Sequence, residues 1–206
     1  MNIITISREF GSGGRELGKR MADVLGWDYY DREIIETVAN EEGLDANYVQ
    51  AVLERHEWWT VPISFHQSFT VSTAPNTDLL VKEKEVIERI ADSGRNCIIV
   101  GRNADYFLRR FAPFRIFVCA DREAKIRRCR ERAADPASIT DKEIERQIKR
   151  IDKGRAATRE LMAGDRWGCR SCYHMIVNTT DWEIKALAPA VAELAKRFFA
   201  QESRQE

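Results

Sequence analysis

The 206-residue sequence predicts an α/β protein in which a five-stranded parallel β-sheet lies between two layers of helices. Apolar runs typical of buried strands alternate with amphipathic helical patterns along the chain. A glycine-rich turn with Gly11, Gly13 and Gly14 joins the first strand to the first helix. The run 97–100 is apolar throughout, as expected of a buried strand, and the run 115–119 is typical of a parallel strand that is covered on both faces.

Composition limits the classes of protein to which the chain can belong. Lysine plus arginine number 33, as do aspartate plus glutamate, so the overall charge favours neither nucleic acid nor an anionic membrane as a partner. The chain lacks a basic leader and an apolar run long enough to span a bilayer. Five cysteines, an odd number, fit a reducing compartment. We therefore expect one cytoplasmic domain, residues 1–206, that binds neither nucleic acid nor a membrane.

The first third of the chain begins with strong signals and ends with weak ones. Isoleucines at positions 3, 4 and 6 predict a buried strand, a helix follows over residues 14–25, and residues 27–30 predict a second strand. Gly26 supplies the stop signal of that helix. Asp31 is expected to cap a second helix that reaches about residue 39.

A third helix is expected over residues 44–54, and the pattern then changes. Residues 57–76 are rich in aromatic and hydroxyl side chains and show no sustained period. Two interpretations stay open, a mobile loop that contacts a ligand and an irregular connection that covers the core. If its aromatic side chains are exposed, this segment would form the contact surface of a homodimer.

The rest of the chain alternates regularly. Helix 77–93 precedes the strand 97–100, a short helix follows, and residues 115–119 predict a fourth strand. Asp121 is expected to cap the next helix, and Thr140 with Glu143 forms a capping box at the start of a helix that reaches about residue 161. Residues 173–178 predict the fifth strand. The last helix is expected over 181–199, with an inward side made of Ile184, Leu187, Val191, Leu194 and Phe198.

The turn after the first strand, residues 9–14 and here called the glycine loop, has the features of a phosphate-binding loop. Such a turn points several backbone N–H groups into one concavity, and the following helix adds the positive end of its dipole. The full motif ends in Gly-Lys-Ser/Thr, where the lysine reaches the outer phosphates and the hydroxyl holds magnesium. Gly14 and Arg15 stand at those two positions. A phosphate loop and a plain strand-to-helix turn both remain open from these residues alone.

Basic residues follow the later strands and run along two helices. Arg102 comes directly after strand 97–100, at the sheet edge where open α/β proteins place their ligands. Arg146 and Arg150 lie one helical turn apart, and Arg159 lies one turn after Arg155, so that several guanidinium groups could share a side of the helix and clamp phosphate oxygens. The alternative is surface ion pairing with neighbouring carboxylates.

Cys169, Cys172 and His174 have the spacing C-x2-C-x-H near residue 170. A zinc site would require a fourth ligand, and the sequence holds no second cysteine pair, which leaves His56 or His66 as the alternative source of that ligand. We interpret these residues as ordinary reduced side chains beside a strand and assign no metal ligand.

Several segments together resemble the cytidylate kinase-like family over nearly the whole chain. These are ITISREFGSGGRELGKRMADVLGWDYYDREII, IIVGRNADYFL, RIFVCADREAKIRR, DKGRAATRELMAGDRWG and MIVNT. The resemblance implies a P-loop NTPase fold of the nucleoside-monophosphate-kinase type, with an acceptor sub-lobe at about residues 31–93 and a lid at about 135–170. It also implies ATP with Mg²⁺ as the donor, and phosphoryl transfer to a nucleoside monophosphate such as CMP or dCMP.

The resemblance implies three sets of site residues. Those around the donor phosphates are Arg8, Gly11, Ser12, Gly13, Gly14, Arg15 and Glu16. Those at the acceptor are Asp31, Arg102, Asn103 and Asp105. The catalytic group comprises Arg15, Arg102, Arg146, Arg150, Asp152 and Arg155.

The chain departs from true cytidylate kinases at three places. Those enzymes have the loop lysine at the position of Gly14 and an aspartate at that of Asn103, and they have a further acceptor-site arginine where this chain offers residues 36–37. Our hypothesis is that Arg15, Lys19 or an arginine of the lid supplies the missing positive charge. The alternatives are a catalytically silent nucleotide-binding protein and a kinase for another small acceptor on the same fold.

Overall fold

The computed structural model describes residues 1–31, 35, 77–133 and 135–202. Five strands form one parallel sheet, namely β1 (Ile3–Arg8), β2 (Asp28–Tyr30), β3 (Cys97–Val100), β4 (Phe114–Cys119) and β5 (Met175–Asn178). Their order across the sheet is β2-β3-β1-β4-β5. This confirms the predicted five-stranded parallel sheet. Except for Asp31 and Ile35, the helices predicted at 31–39 and 44–54, and the segment 57–76, lie outside the described residues.

Six α-helices lie in the described part of the chain. They are α1 (Gly14–Leu25), α2 (Thr77–Asp92), α3 (Ala104–Phe107), α4 (Arg122–Glu131), α5 (Asp141–Ala163) and α6 (Ile184–Glu202). Short 3₁₀ turns form at Arg109–Phe111 and Arg170–Cys172. The predicted caps of α4 and α5 are confirmed, because Asp121 accepts a hydrogen bond from the Ala124 N–H at 2.8 Å, and Thr140 with Glu143 forms a capping box.

Two apolar clusters separate the helices into layers on opposite faces of the sheet. One cluster contains Ile4, Ile6, Ile98 and Val100 of the strands, packed against α1 and α6. The other contains Ile3, Cys97 and Ile99, packed against α2 and α3. Neighbouring residues of a strand thus point to opposite layers, as the pleat requires. The three-layer α/β/α architecture is therefore confirmed.

The inward face of α6 differs from the predicted one at Leu194, whose side chain is 44% exposed. The buried stripe includes Ala188, Ala192, Ala195 and Phe199, at spacings of three and four residues. Leu194 lies beside this stripe, on the solvent side. The prediction was wrong because it weighted large apolar side chains and passed over the small alanines, which pack in one cluster with α1 and the sheet.

Strand register brings the candidate site residues to one edge of the sheet. Ile6 pairs with Val100 across β1 and β3, and Arg8 pairs with Val118 across β1 and β4. The Gly101 N–H donates to the Ile6 carbonyl at 2.9 Å. The glycine loop and the turn after β3 therefore meet where the parallel strands end. Among the described residues, no helix is long and apolar enough to cross a bilayer.

Candidate functional site

The glycine loop has a backbone shape that side chains would prevent. Gly11 and Gly13 have φ of 78° and 81°, in the left-handed region. A Cβ atom on Gly13 would lie 2.7 Å from Cδ1 of Ile184. Among the described residues no side chain caps α1 at Gly13, and the first N–H groups of a helix have no acceptor within it. The start of α1 thus offers backbone donors and a positive dipole end to an anion.

Side chains around the glycine loop fix its conformation. The Ser12 hydroxyl donates to the Glu9 carbonyl at 2.8 Å, and the Thr179 hydroxyl donates to the Ser12 carbonyl at 2.6 Å. Lys125 of α4 forms an ion pair with the Glu9 carboxylate at 2.9 Å. Both hydroxyls are thus engaged within the protein and support the concave shape of the loop.

Two of the predicted lid residues contact the glycine loop directly. Asp152 Oδ1 accepts a hydrogen bond from the Phe10 N–H at 2.8 Å, and Arg155 donates to the Arg8 carbonyl at 2.9 Å. The Arg155 guanidinium also lies 5.7 Å from the centroid of the Phe10 ring. Burial raises the pKa of Asp152 to about 6. α5 is therefore joined to the loop through a carboxyl group whose pKa is raised by burial.

The other predicted residues on α5 have different surroundings. Arg146 and Arg150 are exposed on its surface. One turn beyond Arg155, Arg159 is 2% exposed and forms an ion pair with the predicted acceptor residue Asp105 at 2.7 Å. Asp105 thus joins α3 to α5 beneath the end of β1. Its acceptor role stays a prediction, as do the catalytic roles of Arg146 and Arg150.

The turn after β3 is strained. Gly101, Arg102 and Asn103 have φ of 87°, 55° and 53°, although side chains disfavour this region. Arg102 forms an ion pair at 2.9 Å with Glu83 of α2, a carboxylate that is 1% exposed. Strain of this kind is stored where surrounding structure enforces it, commonly at ligand sites. The turn holds Arg102 at the sheet edge beside the glycine loop.

Two of the cations proposed to replace the loop lysine are engaged elsewhere. Arg15 Nε lies 2.7 Å from Oδ2 of Asp31, which is buried, and the Tyr29 hydroxyl donates to the same oxygen at 3.3 Å. Lys19 pairs with Asp23 at 2.6 Å on the outer surface of α1. The structure therefore brings the donor-site residue Arg15 and the acceptor-site residue Asp31 into one ion pair.

Arg8 occupies the space that a side chain on Gly14 would need. A Cβ atom on Gly14 would lie 2.6 Å from the Arg8 Cβ, and one on Gly101 would lie 1.6 Å from Nη1 of Arg8. The side chain thus runs from the start of α1 to the turn after β3. The sequence placed Arg8 among the donor-site residues without a distinct role. The available signal was its position, since Arg8 stands at the first glycine of Gly-x-x-x-x-Gly-Lys while Gly14 stands at the lysine.

A cleft opens at the glycine loop, and we call it the arginine-lined cleft. Its basic lining residues are Arg8, Arg15, Arg128, Arg132 and Arg155, and its acidic ones are Glu9 and Asp31. Two of these cations also form contacts within the protein: Arg128 donates to the Thr179 hydroxyl at 3.1 Å, and Arg132 forms an ion pair with Glu16. Five guanidinium groups around backbone donors suit a ligand with several phosphates, so the site fits a nucleoside triphosphate.

The described residues of the cleft do not offer magnesium a direct protein ligand. Arg15 stands where the motif has its hydroxyl, and the Ser12 hydroxyl is bonded to the loop backbone. The carboxylates of Glu9 and Asp31 are paired with Lys125 and Arg15. The residues present thus do not fit a directly coordinated Mg²⁺.

The cysteine and histidine cluster shows no sign of a metal centre. The two ring nitrogens of His174 face the Arg115 N–H at 3.1 Å and its guanidinium at 3.0 Å. Cys169 Sγ lies 3.2 Å from the Ser171 hydroxyl. Within residues 1–31, 35, 77–133 and 135–202, no group of three or more His, Cys, Asp or Glu side chains is placed to hold a metal ion.

Comparisons with known proteins agree with this geometry. A model of the cytidylate kinase-like family matches residues 3–181. An uncharacterized protein from Eubacterium ventriosum has a similar structure, with a TM-score of 0.71 and 20% identity over 95% of this chain and 99% of that one. No curated protein sequence matches significantly.

Two shikimate kinases are also similar in structure. The enzyme from Acinetobacter baumannii, solved with shikimate, gives a TM-score of 0.52 at 14% identity, over 94% of this chain and 92% of that one. The enzyme from Bacteroides thetaiotaomicron gives a TM-score of 0.53 at 17% identity, over 95% of this chain and 98% of that one. At such identities the likeness shows a shared fold alone.

Proposed function

Since this chain belongs to the cytidylate kinase-like family, we propose that it transfers the γ-phosphoryl group of ATP to a nucleoside monophosphate of the CMP or dCMP type. The observation that carries this proposal is the arginine-lined cleft. It places five guanidinium groups around the uncapped start of α1, at the carboxyl edge of a parallel sheet. Phosphoryl transfer relies mainly on positioning and on neutralising the charge of the transferred group.

The donor is assigned to the glycine loop. Its backbone N–H groups and the dipole of α1 would receive the β- and γ-phosphates. Arg155 lies against the loop from α5, with its guanidinium bonded to the Arg8 carbonyl. We assign α5 to a lid of about residues 135–170 that covers the donor. Magnesium would enter with the triphosphate and neutralise part of its charge.

The acceptor is assigned to the opposite side of the cleft, in a sub-lobe of about residues 31–93. Arg102 is held at the sheet edge by buried Glu83, with 19% of its own side chain exposed, so that it can receive an acceptor phosphate. We assign Asp31 and Asn103 to contacts with the rest of the acceptor. A bidentate guanidinium contact would orient the phosphate for attack.

The proposed reaction has a simple balance. An oxygen of the acceptor phosphate forms a bond to the γ-phosphorus, while the bond from that phosphorus to the β–γ bridging oxygen breaks. The electron pair of the broken bond stays on the β-phosphate of the departing ADP. Negative charge therefore accumulates near the bridging oxygen, where fixed cations stabilise the transition state most.

A second candidate is a nucleotide-binding protein without catalytic activity. The observation that favours it is Gly14, which leaves the lysine position of the loop without a cation. A third is a kinase for another small acceptor, since the fold does not determine the substrate. The three candidates differ in turnover and in acceptor, and one experiment separates them.

The test is ADP release from magnesium-ATP, measured across a panel of ribo- and deoxyribonucleoside monophosphates, with shikimate included as a different acceptor. We expect stimulation by CMP or dCMP, and its loss in Arg102→Ala. Arg197→Gln, which removes an exposed arginine of α6, is the matched control and should behave as the wild type. Stimulation by shikimate alone would favour another acceptor, and ATP binding without any stimulated release would favour the silent protein.

A further inference from the structure

We propose that Arg8 is the phosphate-contacting cation of this site and replaces the lysine that the glycine loop lacks. This inference rests on the proposed function, because it assigns a role in the same donor site. It differs from the hypothesis drawn from the sequence, in which Arg15, Lys19 or an arginine of the lid takes that role. Sterics, charge partners and position each support it.

The first step is a reciprocal exchange within the motif. In Gly-x-x-x-x-Gly-Lys the first position is small and the last carries the cation. Here the first position is Arg8 and the last is Gly14. The two are in contact, since a Cβ on Gly14 would lie 2.6 Å from the Arg8 Cβ and 3.1 Å from its Cγ. The arginine at one position therefore requires the glycine at the other.

The second step concerns partners. In the part of the chain that the structure describes, no side chain or carbonyl accepts a hydrogen bond from the Arg8 guanidinium, and no carboxylate forms an ion pair with it. Asp31, a carboxylate that lines the same cleft, is paired with Arg15 at 2.7 Å. Glu9 is paired with Lys125 in the same way. The guanidinium N–H groups of Arg8 are therefore available to donate hydrogen bonds to a ligand in the cleft.

The third step concerns the surrounding charge. Burial and repulsion from the positive charges of Arg155 and Arg102 lower the pKa of Arg8, although Tyr29 and Asp31 act in the opposite direction. Bringing three guanidinium groups together is unfavourable unless an anion joins them. A polyphosphate would offset the repulsion between the guanidinium groups, and this would strengthen its binding.

The fourth step is position. The Arg8 side chain leaves β1, passes over Gly14 and ends with Nη1 against Gly101, next to Arg102. Its guanidinium therefore lies between the glycine loop, assigned to the donor, and the turn assigned to the acceptor. Under the proposed function, charge on the β–γ bridging oxygen would develop between these two elements. A cation fixed there stabilises the transition state more than the ground state.

The experiment restores the usual motif by replacing Arg8 with glycine and Gly14 with lysine, separately and together. Four proteins are compared, namely wild type, Arg8→Gly, Gly14→Lys and the double variant Arg8→Gly/Gly14→Lys. Calorimetry measures binding of magnesium-ATP and of inorganic tripolyphosphate, and turnover is measured with the best acceptor. Arg8→Gln tests charge loss at nearly constant size, and Arg197→Gln is the control. Circular dichroism and thermal unfolding check the fold of every variant.

We expect Arg8→Gly and Arg8→Gln to weaken tripolyphosphate and ATP binding at least tenfold and to lower kcat by about 100-fold to 1,000-fold. Gly14→Lys should also bind weakly, because its side chain meets Arg8. The double variant should regain at least tenfold over Arg8→Gly in both readouts. If Gly14→Lys fails to fold while the double variant folds, the steric exchange is supported as well.

Arg8→Gln with wild-type affinity and kcat would overturn the inference, as would a folded double variant that is no better than Arg8→Gly. A wild type that binds neither ATP nor tripolyphosphate would also overturn it. If the wild type binds ATP but no acceptor stimulates turnover, the proposed function fails, while the affinities of the variants still decide the role of Arg8.

Discussion

Asp152 Oδ1 accepts the backbone N–H of Phe10 at 2.8 Å, so that a carboxylate of α5 holds the middle of the glycine loop. The same oxygen lies 3.3 Å from Nη1 of Arg155, which in turn donates to the Arg8 carbonyl. The glycine loop and α5 are therefore connected by a short polar network. The stability of this network depends on the protonation state of the Asp152 carboxyl group.

Asp152→Asn should reduce the pH dependence of stability. Because burial raises the Asp152 pKa to about 6 from 3.8, the folded state binds more protons than the unfolded state between these values. The stabilisation from the neutral carboxyl is present below pH 4 and is lost as the pH rises through 6. It amounts to at most about 3 kcal/mol, at 1.36 kcal/mol per pKa unit. Urea unfolding from pH 4 to 8 measures it.

The quantity to compare is the unfolding free energy of the wild type minus that of Asp152→Asn. We expect this difference to fall between pH 4 and 6 and to be flat above 7, because the amide does not titrate. Asp141→Asn, on the exposed first turn of α5, is a control for carboxylate loss. A difference that rises with pH would show that Asp152 is stabilised as an anion.

Gly101→Ala should displace Arg8. Its Cβ would lie 1.6 Å from Nη1 of Arg8, and its φ of 87° disfavours any side chain. Gly94→Ala is the matched control, because Gly94 has φ of 75° but no atom within 4 Å of an added Cβ. Both should lose about 1 kcal/mol of stability from backbone strain. Only Gly101→Ala should also weaken ATP binding, and equal affinities in a titration would refute the contact.

Asp105→Ala should be strongly destabilising. Asp105 and Arg159 are 3% and 2% exposed and lie 2.7 Å apart, so the substitution leaves a buried guanidinium without its main counter-charge. We expect a loss of about 3–5 kcal/mol in urea unfolding, and a smaller loss for the double variant Asp105→Leu/Arg159→Met. A loss below about 1 kcal/mol, together with a raised KM for the acceptor, would instead favour the predicted acceptor role of Asp105.

Arg102→Lys should raise the KM for the acceptor while leaving ATP affinity close to that of the wild type. A lysine keeps the positive charge beside Glu83 but lacks the planar pair of donors that grips a phosphate. The expected change is about tenfold, which corresponds to about 1.4 kcal/mol. Steady-state kinetics with the acceptor varied, and calorimetry with ATP, measure the two effects. A loss confined to ATP affinity would place Arg102 on the donor side.

Much of the fold follows from local patterns in the sequence. The helix at Gly14–Leu25 and the strand at Cys97–Val100 have their predicted bounds, because glycine stops and continuous apolar runs are local signals. The sheet order could not be deduced in this way, since it depends on pairings between distant strands. Leu194 shows the limit within a helix, where small residues decided which side faces the sheet.

The site was predictable as a location and less so as a set of contacts. The glycine loop and Arg102 were placed at one edge because parallel strands end together. The partners of Arg15, Lys19 and Asp105 were not predictable, because each ion pair depends on side-chain reach across elements. The contact of Arg8 with Gly101 likewise required the register between β1 and β3.

The most direct measurement of the proposed activity is transfer of label from γ-labelled ATP to CMP or dCMP. The proposal predicts labelled CDP or dCDP from the wild type, with a rate reduced by about 100-fold or more in Arg8→Gln and unchanged in Arg197→Gln. Label that appears only in inorganic phosphate, or remains entirely in ATP with every monophosphate tested, would contradict it.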